Sequence, residues 1–138
     1  MKILRLALFL FASAFAVGCT DSATTPSQSP TFAKIDIVLG NGAVAAAGNA
    51  LTVNYTGWLY DPTKADFKGL QFDTATGFQF TLGTGQVIQG WDQGLLGMNL
   101  GGTRRLIVPS SLAYGESRSG KIPPNAALVF DVQLTAVQ

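Results

Sequence analysis

Apolar and polar positions alternate with a period of two through most of the chain beyond residue 34. Ile35, Ile37 and Leu39 alternate with Asp36 and Val38 until Gly40-Asn41-Gly42 breaks the run. Leu51, Val53 and Tyr55 alternate with Thr52, Asn54 and Thr56, and Phe78, Phe80 and Leu82 with Gln79 and Thr81. Further on, Leu106 and Val108 alternate with Arg105 and Ile107, and Leu128, Phe130, Val132 and Leu134 with Val129, Asp131, Gln133 and Thr135. Successive side chains of a strand point to opposite faces, so each run predicts a strand with one covered face. Strands of that kind suit an antiparallel sheet.

One segment has a different period. Between Val87 and Met98 the apolar residues Ile88, Trp91, Leu95 and Met98 recur at spacings of three and four, which predicts a helix. Gly90, Gly94 and Gly97 weaken it, each by up to about 1 kcal/mol relative to alanine. Tertiary packing must therefore hold the helix, and its missing side chains let a sheet come close. Strands, one short helix and strands again predict an α+β domain, a curved antiparallel β-sheet wrapped over one short central helix. Leu59 to Gln71, with Pro62, Gly69 and mixed charge, reads as a surface loop.

The N-terminal part follows other rules. Lys2 and Arg5 precede a nearly unbroken apolar stretch from Leu6 to Val17, and residues 1–18 read as an export signal. The stretch is short for a membrane span, which takes about 20 apolar residues. Ala16-Val17-Gly18-Cys19 resembles a bacterial lipobox, which makes Cys19 the expected site of lipidation and the mature N-terminus. An ordinary secretory signal with an incidental cysteine is the alternative. Residues 19–33, rich in Thr, Ser, Pro and Gln, read as a flexible tether, and residues 34–138 as the folded domain. Thr20, where some retained lipoproteins carry Asp, favours the outer membrane of a two-membrane cell, with the domain facing the periplasm.

Composition then removes whole classes of function. Beyond the leader there are seven basic and eight acidic residues, a formal −1, which gives no footprint for nucleic acid. Arg104-Arg105 is the one basic pair, and reads as a solvated strand face. A single cysteine forms no intramolecular disulfide. The absence of histidine excludes Ser-His-Asp and Cys-His catalysis and histidine metal sites. Gly83-Thr84-Gly85 lacks the third glycine of a dinucleotide loop, and there is no Walker lysine.

What remains is aromatic. Tyr55, Phe72, Phe78, Phe80, Trp91, Tyr114 and Phe130 come from separate elements. They form either the core of a small sheet domain or the walls of a partly open pocket. The polar tips of Tyr and Trp favour the pocket. So does Asp73 beside Phe72, a carboxylate that is costly to bury unpaired.

The stretches Val53 to Leu59 (VNYTGWL), Gln71 to Asp73 (QFD), Gly85 to Asp92 (GQVIQGWD), Leu112 to Gly115 (LAYG) and Ile122 to Leu134 (IPPNAALVFDVQL) resemble, in that order, an FKBP-type peptidyl-prolyl cis–trans isomerase. The resemblance implies the same architecture and an activity that needs no metal, cofactor or nucleophile. It implies catalytic roles for Tyr55, Asp73, Trp91, Tyr114 and Phe130. Trp91 is the floor for the substrate proline ring, Asp73 a buried carboxylate paired with Tyr55, and Tyr114 a donor to a substrate carbonyl. It makes Phe72, Phe78, Val87, Ile88 and Ile122 substrate-binding, with Ile88 offering its backbone N–H and Ile122 on a loop overhanging the cleft. Proline-containing polypeptides and macrolide inhibitors are the implied partners; the sequence shows no amphipathic dimerisation helix, so a monomer is the expected state. The Thr74 to Gly77 loop is shorter than in the smallest relatives of this type, and Lys121 stands where an apolar residue is common. A binding module without catalysis and a structural envelope lipoprotein are the competing readings.

Overall fold

The computed structural model describes residues 29–138. The leader, Cys19 and the tether as far as Gln28 lie outside the described residues. Strands β1 (Ala33–Val38), β2 (Ala50–Tyr60) and β3 (Lys68–Thr81) are followed by helix α1 (Gln89–Gly94). Strand β4 (Thr103–Val108), a 3₁₀ turn (Ser110–Leu112) and strand β5 (Leu128–Val137) complete the chain. The strands form one curved, wholly antiparallel sheet in the order β1-β4-β5-β2-β3, over which the short helix lies. This is the α+β architecture expected from the alternation.

The helical stripe is shorter than the spacing predicts. Only Gln89–Gly94 is helical, not Val87 to Met98. Ile88 is still extended at φ −59°, ψ 152°, and Gly97 at φ 76° leaves the right-handed region. Trp91, Leu95 and Met98 are nonetheless all buried, so the apolar stripe holds where the helix does not. The helix lies very close to β4. A Cβ on Gly90 would stand 2.5 Å from Val108 Cγ1, and one on Gly94 2.6 Å from Leu106 Cδ2.

The core lies between helix and sheet, around Leu51, Val53, Leu82, Leu95, Leu106, Val108, Leu128, Val132 and Leu134. Two expectations about the strands reverse. Ile35, Ile37 and Leu39 do not form a buried face; they are 46%, 49% and 77% exposed. Strand β1 is an edge, and Ile35 pairs with Arg105 on the face turned away from the helix, while Asp36 pairs with Arg104 on the inner face. Arg104-Arg105 is accordingly no solvated strand face. Arg104 shares its side of β4 with Leu106 and Val108 and is buried. Its Nε donates to Asp36 Oδ1 at 2.7 Å, and Nη1 to the carbonyls of Gly94 and Leu96 at 2.8 and 3.0 Å, closing the C-terminal end of α1. Arg105, on the outer face, pairs with Asp131, which also accepts from Lys68 at 2.8 Å. Lys68 Nζ stands 4.1 Å from the centroid of the Trp58 ring.

The expected Leu59 to Gln71 loop is shorter than predicted, with strand at both of its ends. Strand β2 runs to Tyr60 and β3 begins at Lys68, leaving 61–67 as the connection. Thr74 to Gly77 is likewise no loop but part of β3, bulged where the register steps from Val53↔Phe78 to Tyr55↔Ala75. Gly77 takes φ 70° there, and its N–H donates to Asn54 Oδ1 at 2.9 Å.

Candidate active site

A cavity of about 160 Å³ opens beside the helix, lined by Tyr55, Phe72, Asp73, Phe78, Gln86, Val87, Ile88, Trp91, Tyr114 and Phe130. Each comes from a different constraint of the fold. Tyr55 follows the fully buried Leu51 and Val53 on the inner face of β2, and Phe130 lies between Leu128 and Val132 on that of β5. Phe72 and Asp73 are neighbours in a strand and would ordinarily face opposite ways. Both reach the cavity because β3 carries an extra residue between the pairs Gly57↔Asp73 and Trp58↔Gln71. Gly57 makes room for them: a Cβ there would lie 2.7 Å from Phe72 Cζ and 2.9 Å from Phe130 Cε1.

Trp91 is the floor. It is 4% exposed and meets its neighbours edge-on, Tyr55 at 4.9 Å and 84° and Phe130 at 5.3 Å and 85° between rings. Phe72 stands edge-on to Phe130 at 5.6 Å, and Phe78 edge-on to Tyr55 at 5.7 Å. Such T-shaped pairs set the positive edge of one ring against the negative face of the next, so the rings brace one another. Phe80 stays behind this wall in the core, as its alternation implies. The Trp91 Nε1–H is buried with no partner among the described residues.

The polar part of the site is a short hydrogen bond. Tyr55 Oη donates to Asp73 Oδ2 at 2.6 Å. Burial of the phenol, then this bond and the adjacent negative charge, push the Tyr55 pKa well above the ordinary tyrosine range. Tyr55 is therefore a fixed neutral donor. The carboxylate is paired as expected, but it is exposed and not buried. Strand β3 is the outer edge of the sheet, so water reaches Asp73 from the open side.

Ile122 is the one expected site residue that the structure keeps out of the cavity. Its N–H donates to Ser119 O at 2.8 Å and its carbonyl accepts from Ser119 N at 3.1 Å. This closed turn directs Ile122 into the core, where it is 4% exposed. Conversely, Gln86 lines the cavity without having been expected to. A polar residue ahead of Val87 leaves no periodic signal. Its side chain accepts from the Thr81 N–H at 2.9 Å, fastening the loop to the end of β3. Among the described residues no group of three His, Cys, Asp or Glu is placed to hold a metal ion.

A family profile described as FKBP-type peptidyl-prolyl cis-trans isomerase matches residues 42–135. The FK506-binding protein of Neisseria meningitidis serogroup B is 46% identical over 103 residues, covering 74% of this chain and 92% of that protein. That of Streptomyces anulatus is 46% identical over 104 residues, covering 74% and 82%. Among solved structures, a peptidyl-prolyl cis-trans isomerase from Pseudomonas syringae pv. tomato superposes with a TM-score of 0.66 at 34% identity, over 78% of this chain and 75% of that one. The crystal structure of AtFKBP13 gives 0.66 at 32% identity, over 78% and 93%. The chain belongs to the FKBP-type peptidyl-prolyl cis–trans isomerase family.

Proposed function

We propose that this protein accelerates cis–trans isomerisation of Xaa-Pro bonds in exported polypeptides by non-covalent stabilisation of the twisted amide. The observation that supports this is the convergence of five aromatic rings, from β2, β3, α1 and β5, on one small cavity whose fixed polar group is the Tyr55–Asp73 pair.

Rotation about an amide is opposed by about 18–20 kcal/mol of partial double-bond character. The planar amide is more dipolar than the twisted one. A cavity walled by aromatic edges therefore withholds solvation from the ground state more than from the transition state. The proline ring packs on Trp91, between Tyr55, Phe78, Val87 and Phe130, with Phe72 as the outer wall. The backbone N–H of Ile88 and the hydroxyl of Tyr114 hold carbonyls on either side of the rotating bond. Asp73 orients Tyr55 and polarises the cleft without transferring a proton. Only contacts that strengthen as the amide twists raise the rate, and no covalent step is required.

A macrolide fills the same cavity in competition with peptide. Cys19, diacylated and, with residues 1–18 removed, the mature N-terminus, anchors the domain to the cell envelope at the periplasmic face of the outer membrane. The domain acts as a monomer on polypeptides emerging from export. The deciding experiment is a proline-isomerisation assay with and without a macrolide, beside Trp91→Ala. Acceleration abolished by both supports the proposal. A folded protein that binds proline peptides but gives no acceleration overturns it in favour of a binding module.

A further inference from the structure

Asp92 lies outside the cavity lining, yet its carboxylate is fully engaged. Oδ1 accepts from the Gly83 N–H at 2.8 Å and Oδ2 from the Gly85 N–H at 3.0 Å. Both glycines are left-handed, at φ 81° and 76°. The segment from Leu82 to Gln86 is thus built on two residues of the widest conformational freedom, and one side chain fixes both. The same segment leads straight into Val87 and Ile88, which form a wall of the cavity. Asp92 itself follows Trp91 in α1, and its own N–H donates to Ile88 O at 3.2 Å.

We propose that Asp92 is a positioning residue: it sets the distance between the Trp91 floor and the Val87–Ile88 wall and so determines peptide affinity. This rests on the isomerase reading of the cavity. Without the carboxylate the loop samples other arrangements, and only the fraction with the wall in place binds peptide. Apparent affinity falls by that fraction. A peptide already bound has selected the correct arrangement, so turnover within the complex changes little.

The experiment compares the protein with Asp92→Ala and Asp92→Asn by steady-state isomerisation of a proline tetrapeptide, titration with the same peptide, and amide hydrogen exchange at Gly83 and Gly85. In Asp92→Ala, KM and Kd rise about threefold to tenfold while kcat stays within about twofold, and both glycine amides exchange faster. Asp92→Asn keeps one acceptor, so it exposes one amide more than the other and falls between. It also serves as the test if the alanine variant does not fold. Unchanged KM, Kd and glycine exchange overturn the proposal, as does a fall confined to kcat. If the unsubstituted protein shows no isomerisation, the isomerase reading fails. Peptide titration and exchange then still decide the role of Asp92, and a protein that binds no peptide overturns the proposal together with that reading.

Discussion

The Tyr55 hydroxyl reaches Asp73 Oδ2 across 2.6 Å although Asp73 stands opposite Gly57, two residues further along β2. The bond closes diagonally over a position that has no side chain. It ties the edge strand to its neighbour at the mouth of the cavity. Its protonation has a definite sign. The phenol is held above its unfolded value of about 10, so the stability it confers is complete below that pH. It is lost as pH rises from there toward the folded value, where the unfolded chain gives up the proton and the native one keeps it. Absorbance titration of the native protein should therefore lack the Tyr55 ionisation near pH 10. Tyr55→Phe should leave that part of the curve unchanged and remove a later step. Loss of signal near pH 10 in the variant would contradict the assignment.

Asp73→Ala should lower kcat/KM by about tenfold, the worth of one hydrogen bond to a charged group. The fold should persist with the thermal midpoint lower by a few degrees, the worth of one hydrogen bond to a carboxylate exposed on the edge strand. An unchanged rate would remove Asp73 from the mechanism, and a collapsed midpoint would make its role structural.

Two substitutions at Trp91 should separate floor from fold. Trp91→Ala removes a side chain that is 4% exposed and should cost about 3–5 kcal/mol, with peptide binding lost even where the protein remains folded. Trp91→Phe keeps an aromatic floor and deletes the unpartnered Nε1–H. Release of that unsatisfied donor offsets much of the lost volume, so its cost should stay near 1 kcal/mol. Urea denaturation and calorimetric peptide titration, neither of which depends on tryptophan fluorescence, read the two effects apart.

Arg104→Ala should destabilise the fold by about 3 kcal/mol, since it strips the carbonyls of Gly94 and Leu96 at the end of the helix of a buried donor and breaks the ion pair with the exposed Asp36. Asp36→Asn leaves both carbonyl contacts and should cost about 1 kcal/mol. Equal losses in denaturant unfolding would mean that the ion pair, and not the helix cap, is what matters.

Arg104 also shows how far alternation reads the chain. The same alternation that buries Leu106 and Val108 puts Arg104 on their side, so its inward direction is implicit in the sequence and hidden by the adjacency of two arginines. Strands β2, β4 and β5 keep their inner faces where the pattern puts them because both neighbours fix them, although Ile107 and Val129 of the opposite set are buried as well. The edges do not. In β1 the apolar residues turn outward because the inner face is taken by the Asp36–Arg104 pair. In β3 three register breaks scramble the alternation, so Lys68 to Gly77 does not read as a strand. Nearly all of the expected cavity lining comes together through motif order. Ile122 departs from it because a backbone turn, which leaves no mark in side-chain pattern, points it into the core.

Gly90 and Gly94 let the isopropyl and isobutyl groups of Val108 and Leu106 press directly against the backbone of α1. Trp91 lies between these two glycines, so the depth of the cavity is set from behind, by methyl groups that are absent. A methyl added at either site lifts the floor without altering a single residue of the lining. The two positions thus form an adjusting screw for cavity depth, separate from the residues that decide what the cavity recognises.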